Sequence, residues 1–282
     1  MRHLFKLTTL FVVACSFSPS IVLAQINGFN FLDGFTFVNG EGGTEPTLGS
    51  DFIQITNGFN QRRSVWFDTR QPFDTFSASF NYQAGTSAGG LSFIIQDDSR
   101  GRSAVTNSIS SPGFNGIDRS FGVVFTTSAV STFVSIQSNG AVGSGSTDVE
   151  LSAREPGLDV SLDYDGRLLA VTIDDGTNDP FSQSFLVSSS IAETIGSGDA
   201  FIGFGASTSN YSSNVQRISD FQFRSTMALM GDVSLDNTVN FLDISPMIAL
   251  LTAGEYQVEA DINRDGSVDF LDISPFITIL SN

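Results

Sequence analysis

From about Ile26 to Ser225, short runs of alternating apolar and polar side chains are separated by Gly, Asn, Asp and Ser, the pattern of strands joined by turns. The clearest case is 158–176. Leu158, Val160, Leu162 and Tyr164 alternate with polar residues, Asp165-Gly166 offers a two-residue turn, and Leu169, Val171 and Ile173 return with the same period. Other runs, FSASFNY, LSFIIQ, SFGVVFTT, FVSIQS and FIGFGAS, read as further strands, several of them apolar on both faces. No 3.6-residue period is sustained here, so helix fits poorly. Roughly two hundred residues of such strands predict a large sandwich or jelly roll. The chain has 27 Phe and one Trp, which suits filling between two sheets, and Trp66, between Val65 and Phe67, is assigned to the core.

Beyond the brief stretch STMALM the pattern changes. Residues 231–251 (GDVSLDNTVNFLDISPMIALL) recur as 260–280 (ADINRDGSVDFLDISPFITIL), a period of 29 with 11 of 21 positions identical. Each copy ends in a short apolar segment predicted to be helical, with Ser245-Pro246 and Ser274-Pro275 as cap and first helical residue. The chain therefore divides into an N-terminal leader at 1–24, a β domain at 25–226 and a small helical module at 230–282.

The leader carries Arg2, His3 and Lys6 ahead of an apolar run and ends in Val22-Leu23-Ala24 before Gln25. That is the layout of a cleaved secretory signal peptide, and the apolar run falls short of the ~20 residues a membrane span needs. Val12-Val13-Ala14-Cys15 offers the alternative of a lipid-anchored N-terminus at Cys15. Cleavage after Ala24 would remove the only Cys, His and Lys of the chain. Cys–His and Ser–His–Asp catalysis, lysine Schiff bases, Cys/His zinc sites and disulfides are then excluded from the mature chain. Of 13 basic residues 11 would remain against 30 acidic ones, a net charge near −19 (11 − 30). Such acidity argues against nucleic acid and anionic membranes as partners, and it supplies oxygen ligands for calcium.

Those oxygens are spaced to wrap a cation. In the second repeat Asp261, Asn263, Asp265, Asp269 and Asp272 stand at positions 1, 3, 5, 9 and 12 of a loop. Gly266 stands at 6, and Ser267 at 7 would offer its carbonyl. The first repeat has Asp232, Ser234, Asp236, Asn240 and Asp243 in the same places, with Asn237 at 6 and Thr238 at 7. Two calcium ions are expected, with the first loop, poorer in carboxylates, the weaker site. These duplicated loop–helix units resemble the type I dockerin family, in which Asp rather than Glu closes the loop. The resemblance implies a calcium-dependent module that docks onto a cohesin-like protein or cell-surface matrix, often beside polysaccharide breakdown. It also gives loop positions 10 and 11, here Phe241-Leu242 and Phe270-Leu271, a part in choosing the partner. Packing inside the module is the alternative for both pairs, and the two stay open at this point.

The β domain, over about 28–224, resembles the L-type (legume) lectins in the order of its segments. FIQITNGFNQRRSVWFDTRQPFDTFSASFNYQ matches the opening strands, and AGGLSFIIQ through FIGFGASTSNYSSNVQRISDFQF match the central and closing ones. A mainly β, concanavalin A-like sandwich is implied, followed by the small EF-hand-like α module. The family's functional residues do not carry over. Its sugar-binding Asp falls at Gly89, its metal-binding Glu and Asp at Val124 and Thr126, its bridging Asn near Val130 and its metal-binding His at Phe133. Glycan contacts are then left to loops, through Asn115 in GFNGI and Asn210 with Tyr211 after FIGFGAS. The same fold carries glucanases, which need two carboxylates ~5–9 Å apart. Their E-x-D-x-x-E strand motif is absent, and Asp97-Asp98 and Asp174-Asp175 read as turn residues, so no catalytic residue is assigned. The sequence thus favours a secreted glycan-binding protein with a docking tail. A structural or adhesive surface protein is the alternative, and a polysaccharide hydrolase the third reading.

Overall fold

A computed structural model describes residues 24–27 (backbone only), 34–42, 45–49, 51–85, 89–109, 111–128, 131–141, 146–154, 156–177, 179–187, 191–196, 198–211 and 213–281. The leader reading, with the lipid anchor at Cys15, and the metal-bridging position near Val130 fall on or beside residues outside this set. Among the described residues no helix is long and apolar enough to cross a membrane.

Two antiparallel sheets form the β domain. The first runs β14 (Phe181–Leu186), β13 (Leu168–Asp174), β12 (Leu158–Tyr164), β7 (Thr75–Ala84), β16 (Gln216–Thr226), β4 (Phe52–Thr56) and β3 (Thr47–Leu48). There β1 (Ala24–Asn27) also pairs with β16, Gln25 opposite Arg224. The second runs β11 (Thr147–Asp148), β10 (Thr132–Ser138), β9 (Ser120–Thr127), β8 (Gly89–Gln96), β15 (Asp199–Ser207), β5 (Arg62–Phe67) and β2 (Phe35–Glu41). The short β6 (Gln71–Pro72) also pairs with β15.

The alternation read from the sequence maps onto the first sheet. Along β12, Leu158, Val160, Leu162 and Tyr164 are buried while Asp159, Ser161 and Asp163 face solvent. Strands β8, β9 and β15 are buried on both faces, because the segment between β8 and β9 folds back over the second sheet. Beneath it Trp66, Ile94, Ala104, Phe114, Ile117 and Val124 form their own apolar cluster, and the Trp66 indole N–H donates to the Ala104 carbonyl at 2.8 Å. The main core lies between the sheets, where Phe80, Phe93, Phe204 and Phe223 interlock at ring separations of 5.1–6.4 Å. The phenylalanines fill the inter-sheet space, as the composition predicts.

Two local expectations change. The β12–β13 connection has three residues, 165–167, rather than two, and the last paired residues, Tyr164 and Leu169, have four between them. The Asp165 carboxylate accepts the Arg167 and Leu168 N–H groups, and Gly166 takes φ 103°, which widens the turn. A five-residue helix, α1 (Ile191–Ile195), also interrupts the β domain, anchored by buried Ile191 and Ile195 at i, i+4 spacing.

The C-terminal module consists of two loop–helix units whose helices are α2 (Ile244–Ala253) and α3 (Ile273–Leu280). Its core is Val233, Met247, Ala260 and Phe276, with Leu250, Leu251, Ile262, Val268 and Leu280 packed around them. Met247 and Phe276 are the same position of the repeat. Ser245 and Ser274 do not cap these helices. Asn240 and Asp243 form a capping box for the 3-10 turn that leads into α2, so the serines already lie one residue inside the helices.

Candidate functional site

Both loops are folded around carboxylates that the protein has taken out of water. Asp232, Asp243, Asp261 and Asp272 are between 0 and 3 % exposed. In the second loop the two Asp261 oxygens accept the N–H of Asp265 at 3.0 Å and of Gly266 at 2.9 Å. The Asp272 oxygens accept Asn263 N–H at 3.1 Å and Asp269 N–H at 2.9 Å. The first loop repeats these four bonds. Asp232 receives Asp236 and Asn237 N–H at 3.0 and 2.8 Å, and Asp243 receives Ser234 and Asn240 N–H, both at 2.8 Å. A carboxylate has about four lone-pair sites, so each of these aspartates keeps acceptor capacity after satisfying two N–H groups. Burial pushes the Asp261 carboxyl up to about 6, with Asp272 and Asp265 adding like-charge repulsion against the Gly266 N–H.

Backbone conformation matches the position-specific demands. Position 6 is left-handed in both loops, at φ 65° for Asn237 and 87° for Gly266, and so is position 4, at 60° for Leu235 and 62° for Arg264. Position 9 has a second role, because Asn240 and Asp269 each accept the N–H of position 11 at 2.7 Å, capping the segment that enters the helix. Asn263 and Asp265 lie on the exposed rim, joined at 2.8 Å. Thr238 donates through both N–H and hydroxyl to Asp236, and Ser267 through its N–H to Asp265. Among the described residues, no three Asp, Glu, His or Cys side chains converge on one point suited to a metal ion. The donor set is instead mixed, with amide, hydroxyl and main-chain oxygens between two buried carboxylates. That chemistry suits a hard cation of flexible coordination, and calcium fits it better than zinc.

Phe241, Leu242, Phe270 and Leu271 are 76, 68, 80 and 66 % exposed. The module closes its core without them, so the alternative that both pairs pack inside it is set aside. Ile248 and Ile277, equivalent positions on α2 and α3, extend the exposed apolar surface.

On the β domain, the positions where the lectin resemblance places metal ligands cannot hold one. Val124 is buried in the cluster under the covering segment, Thr126 is an exposed threonine and Phe133 packs in β10. Space over Gly89 is taken as well, since a Cβ there would stand 2.9 Å from the Asn214 amide nitrogen. Of the loop candidates, Asn115 is partly buried, Asn210 is exposed and Tyr211 is 95 % exposed. The Asn115 loop meets the end of β15, the strand that leads into the loop of Asn210 and Tyr211: Gly113, at φ 87°, lies against Gly205, where a Cβ would come within 2.1 Å, and the Ser207 hydroxyl donates to the Ser111 carbonyl. No hydrogen bond or ring contact links Asn115 to Asn210 or Tyr211 among the described residues. Asp97 and Asp98 lie in the connection after β8 and Asp175 follows β13, in agreement with their reading as turn residues, but Asp174 is the last residue of β13, paired with Asp159.

Comparison with known proteins agrees with this division. No curated protein sequence matches the chain. The sandwich is similar to solved legume lectins. A lectin from Bauhinia forficata in complex with GalNAc is 16 % identical at TM-score 0.54, covering 72 % of this chain and 99 % of its own. Peanut lectin with a nine-residue peptide is 19 % identical at TM-score 0.54, covering 72 and 96 %. The metal-free form of lectin I-B4 from Griffonia simplicifolia is 14 % identical at TM-score 0.55, covering 71 and 98 %. At these identities the likeness establishes the fold alone. The dockerin type I domain family matches residues 230–280. The chain thus carries a dockerin type I domain, a kind of module that binds calcium, behind a sandwich of the legume-lectin fold.

Proposed function

We propose that the protein is an extracellular carbohydrate-binding protein that is held in a larger assembly by its C-terminal module. Each loop of that module takes one calcium ion. Asp232, Ser234, Asp236, Asn240 and Asp243 hold the first, with the Thr238 carbonyl. Asp261, Asn263, Asp265, Asp269 and Asp272 hold the second, with the Ser267 carbonyl. The cation offsets the repulsion among the buried carboxylates and fixes each loop, and each loop sets the start of its helix through positions 9 and 12. The observation that carries the docking reading is the outward placement of Phe241-Leu242 and Phe270-Leu271. A small domain that leaves four large apolar side chains in water at equivalent positions gains by covering them with another protein. A cohesin-like protein is the partner that the dockerin match supports.

Glycan binding rests on the lectin fold together with the partly buried Asn115 and the exposed Asn210 and Tyr211, in loops near the end of β15. With no metal ligands at Val124, Thr126 and Phe133, it proceeds without a metal in the sandwich. A glycan array probed with the full chain, in calcium and in chelator, tests this, with reducing-sugar release measured on any glycan bound. Binding without turnover that persists in chelator is the expected result. Firm cohesin or matrix attachment with no glycan bound would favour the structural or adhesive alternative, and sugar release would favour a hydrolase.

A further inference from the structure

The module has one basic side chain between residues 231 and 282, Arg264, against nine Asp and Glu. It stands at position 4 of the second loop, between the proposed ligands Asn263 and Asp265, where the simplest electrostatics would turn it onto its own carboxylates. It turns the other way. Its Nη1 lies 2.9 Å from Oδ1 of Asp74, the residue just before β7 in the sandwich. The Asp74 side chain is 2 % exposed, and its other oxygen accepts the Ala228 N–H at 3.0 Å, at the junction of the two domains. Burial pushes the Asp74 carboxyl up while Arg264 pulls it back, as expected of a carboxylate whose main counter-charge comes from the other domain.

A second tie runs to loop position 1. The Tyr256 hydroxyl lies 3.1 Å from the Gly166 carbonyl, in the β12–β13 turn, and 3.3 Å from Oδ2 of Asp261. Arg167 of that turn covers the Tyr256 ring at 5.7 Å. Between the ties lies a cavity of ≈ 10 Å³ lined by Asp74, Tyr164, Gly166, Tyr256, Asp261 and Arg264 among others, no larger than one water. The first loop is an internal control. Position 4 there is Leu235, with the same left-handed backbone but an exposed side chain that cannot form an ion pair.

We propose that the sandwich holds the second loop in its cation-binding shape through Asp74–Arg264 and Gly166–Tyr256–Asp261, so that calcium there and domain docking form one linked equilibrium. Arg264 ties position 4 of the second loop to the sandwich, and Tyr256 fixes the orientation of the position-1 carboxylate. By linkage, calcium in the second loop tightens the hold on the sandwich as much as the sandwich tightens calcium. The first loop binds independently of the sandwich.

The inference rests on the reading of residues 261–272 as a calcium loop, and calcium calorimetry on the full chain separates the two claims. Asp261→Asn identifies the binding step that belongs to the second loop by removing or displacing it. Arg264→Gln, Asp74→Asn and Tyr256→Phe should each weaken that same step at least about fivefold and leave the other unchanged. The double variant Asp74→Asn/Arg264→Gln should be no weaker than the worse single. Tyr256→Phe keeps the ring under Arg167 and so tests the tie without disturbing the ion pair. If Asp261→Asn removes a step while Arg264→Gln and Tyr256→Phe stay within twofold of wild type, the coupling is wrong and the site stands. If Asp261→Asn changes neither step, the site assignment falls, and the coupling with it.

Discussion

Replacing Asp272 by Ala removes a buried carboxylate that holds the second loop closed from its far end. Its two oxygens accept the N–H groups of Asn263 and Asp269, which would be left without partners in a site with no exposure at Asp272. An orphaned buried donor costs about 1–3 kcal/mol, so the pair costs about 2–6 kcal/mol before any cation is counted. A domain of roughly fifty residues at about 0.05–0.15 kcal/mol per residue has only about 2.5–7.5 kcal/mol in total. The loss is therefore comparable with everything that keeps the module folded, and a proposed calcium ligand goes with it. Asp265→Ala is the contrast, since its oxygens serve Ser267 N–H and Asn263 at the exposed rim, where water replaces them. Thermal melts of the full chain, followed by far-UV circular dichroism in calcium and in chelator, check both. Asp272→Ala should lose the helical module's transition in chelator and weaken it in calcium, while Asp265→Ala keeps the transition and binds calcium less tightly. An Asp272→Ala protein that melts within about 2 °C of wild type and still binds two ions would refute the reasoning.

The second loop, with four side-chain carboxylates against three and Gly266 in place of Asn237, should fill first. In calcium calorimetry Asp261→Ala should then remove the tighter step and Asp232→Ala the weaker one, and the reverse assignment would defeat the ligand-count argument. Val124→Glu puts the lectin-type ligand back into a cluster of Trp66, Ile94, Phe114 and Ile117. At a pKa shift of about 3–5 units it should destabilise the sandwich by about 4–7 kcal/mol in chemical denaturation, with no gain of metal binding. Acid should loosen the segment that covers the second sheet. Burial pushes the Asp98 carboxyl up, but Arg100 and the Arg100 and Asp118 N–H groups bring it below its ordinary value. A depressed folded pKa gives stability that is complete above the unfolded value of about 3.9 and is lost as pH falls through the folded one. Amide exchange across 98–118 should accordingly rise below about pH 4 in wild type, and Asp98→Asn should flatten that dependence.

What the sequence made legible was whatever local backbone chemistry dictates. The duplicated loops of the dockerin module were readable because cation wrapping needs oxygen types at fixed offsets with a left-handed residue at position 6, and each offset recurs 29 residues later. Strands β7 and β12 were readable from alternation, because one face of that sheet is solvated. Strands β8, β9 and β15 gave continuous apolar runs whose cause, a covering segment over Val124 and Trp66, lies in tertiary packing. Helix α1 was missed because five residues carry less than two turns of periodicity. The β12–β13 turn was misjudged because Asp165 bonds two N–H groups with its side chain. The orientation of Phe241-Leu242 and Phe270-Leu271 was open in the sequence, since an apolar pair suits a core or a surface, and only the closed core around Met247 and Phe276 decides it. Nothing in the sequence singles out Arg264. Its partner, Asp74, is 190 residues away, and no local pattern joins them.

The most direct test of the account is binding of the full chain to immobilised type I cohesins, in calcium and after chelation, for wild type and for a Phe241→Ser/Leu242→Ser/Phe270→Ser/Leu271→Ser variant. Tight capture by at least one cohesin in calcium, loss of capture in chelator, and loss in the variant with its calcium binding intact are the expected results. Capture that persists in chelator, or that the variant retains unchanged, would contradict the account.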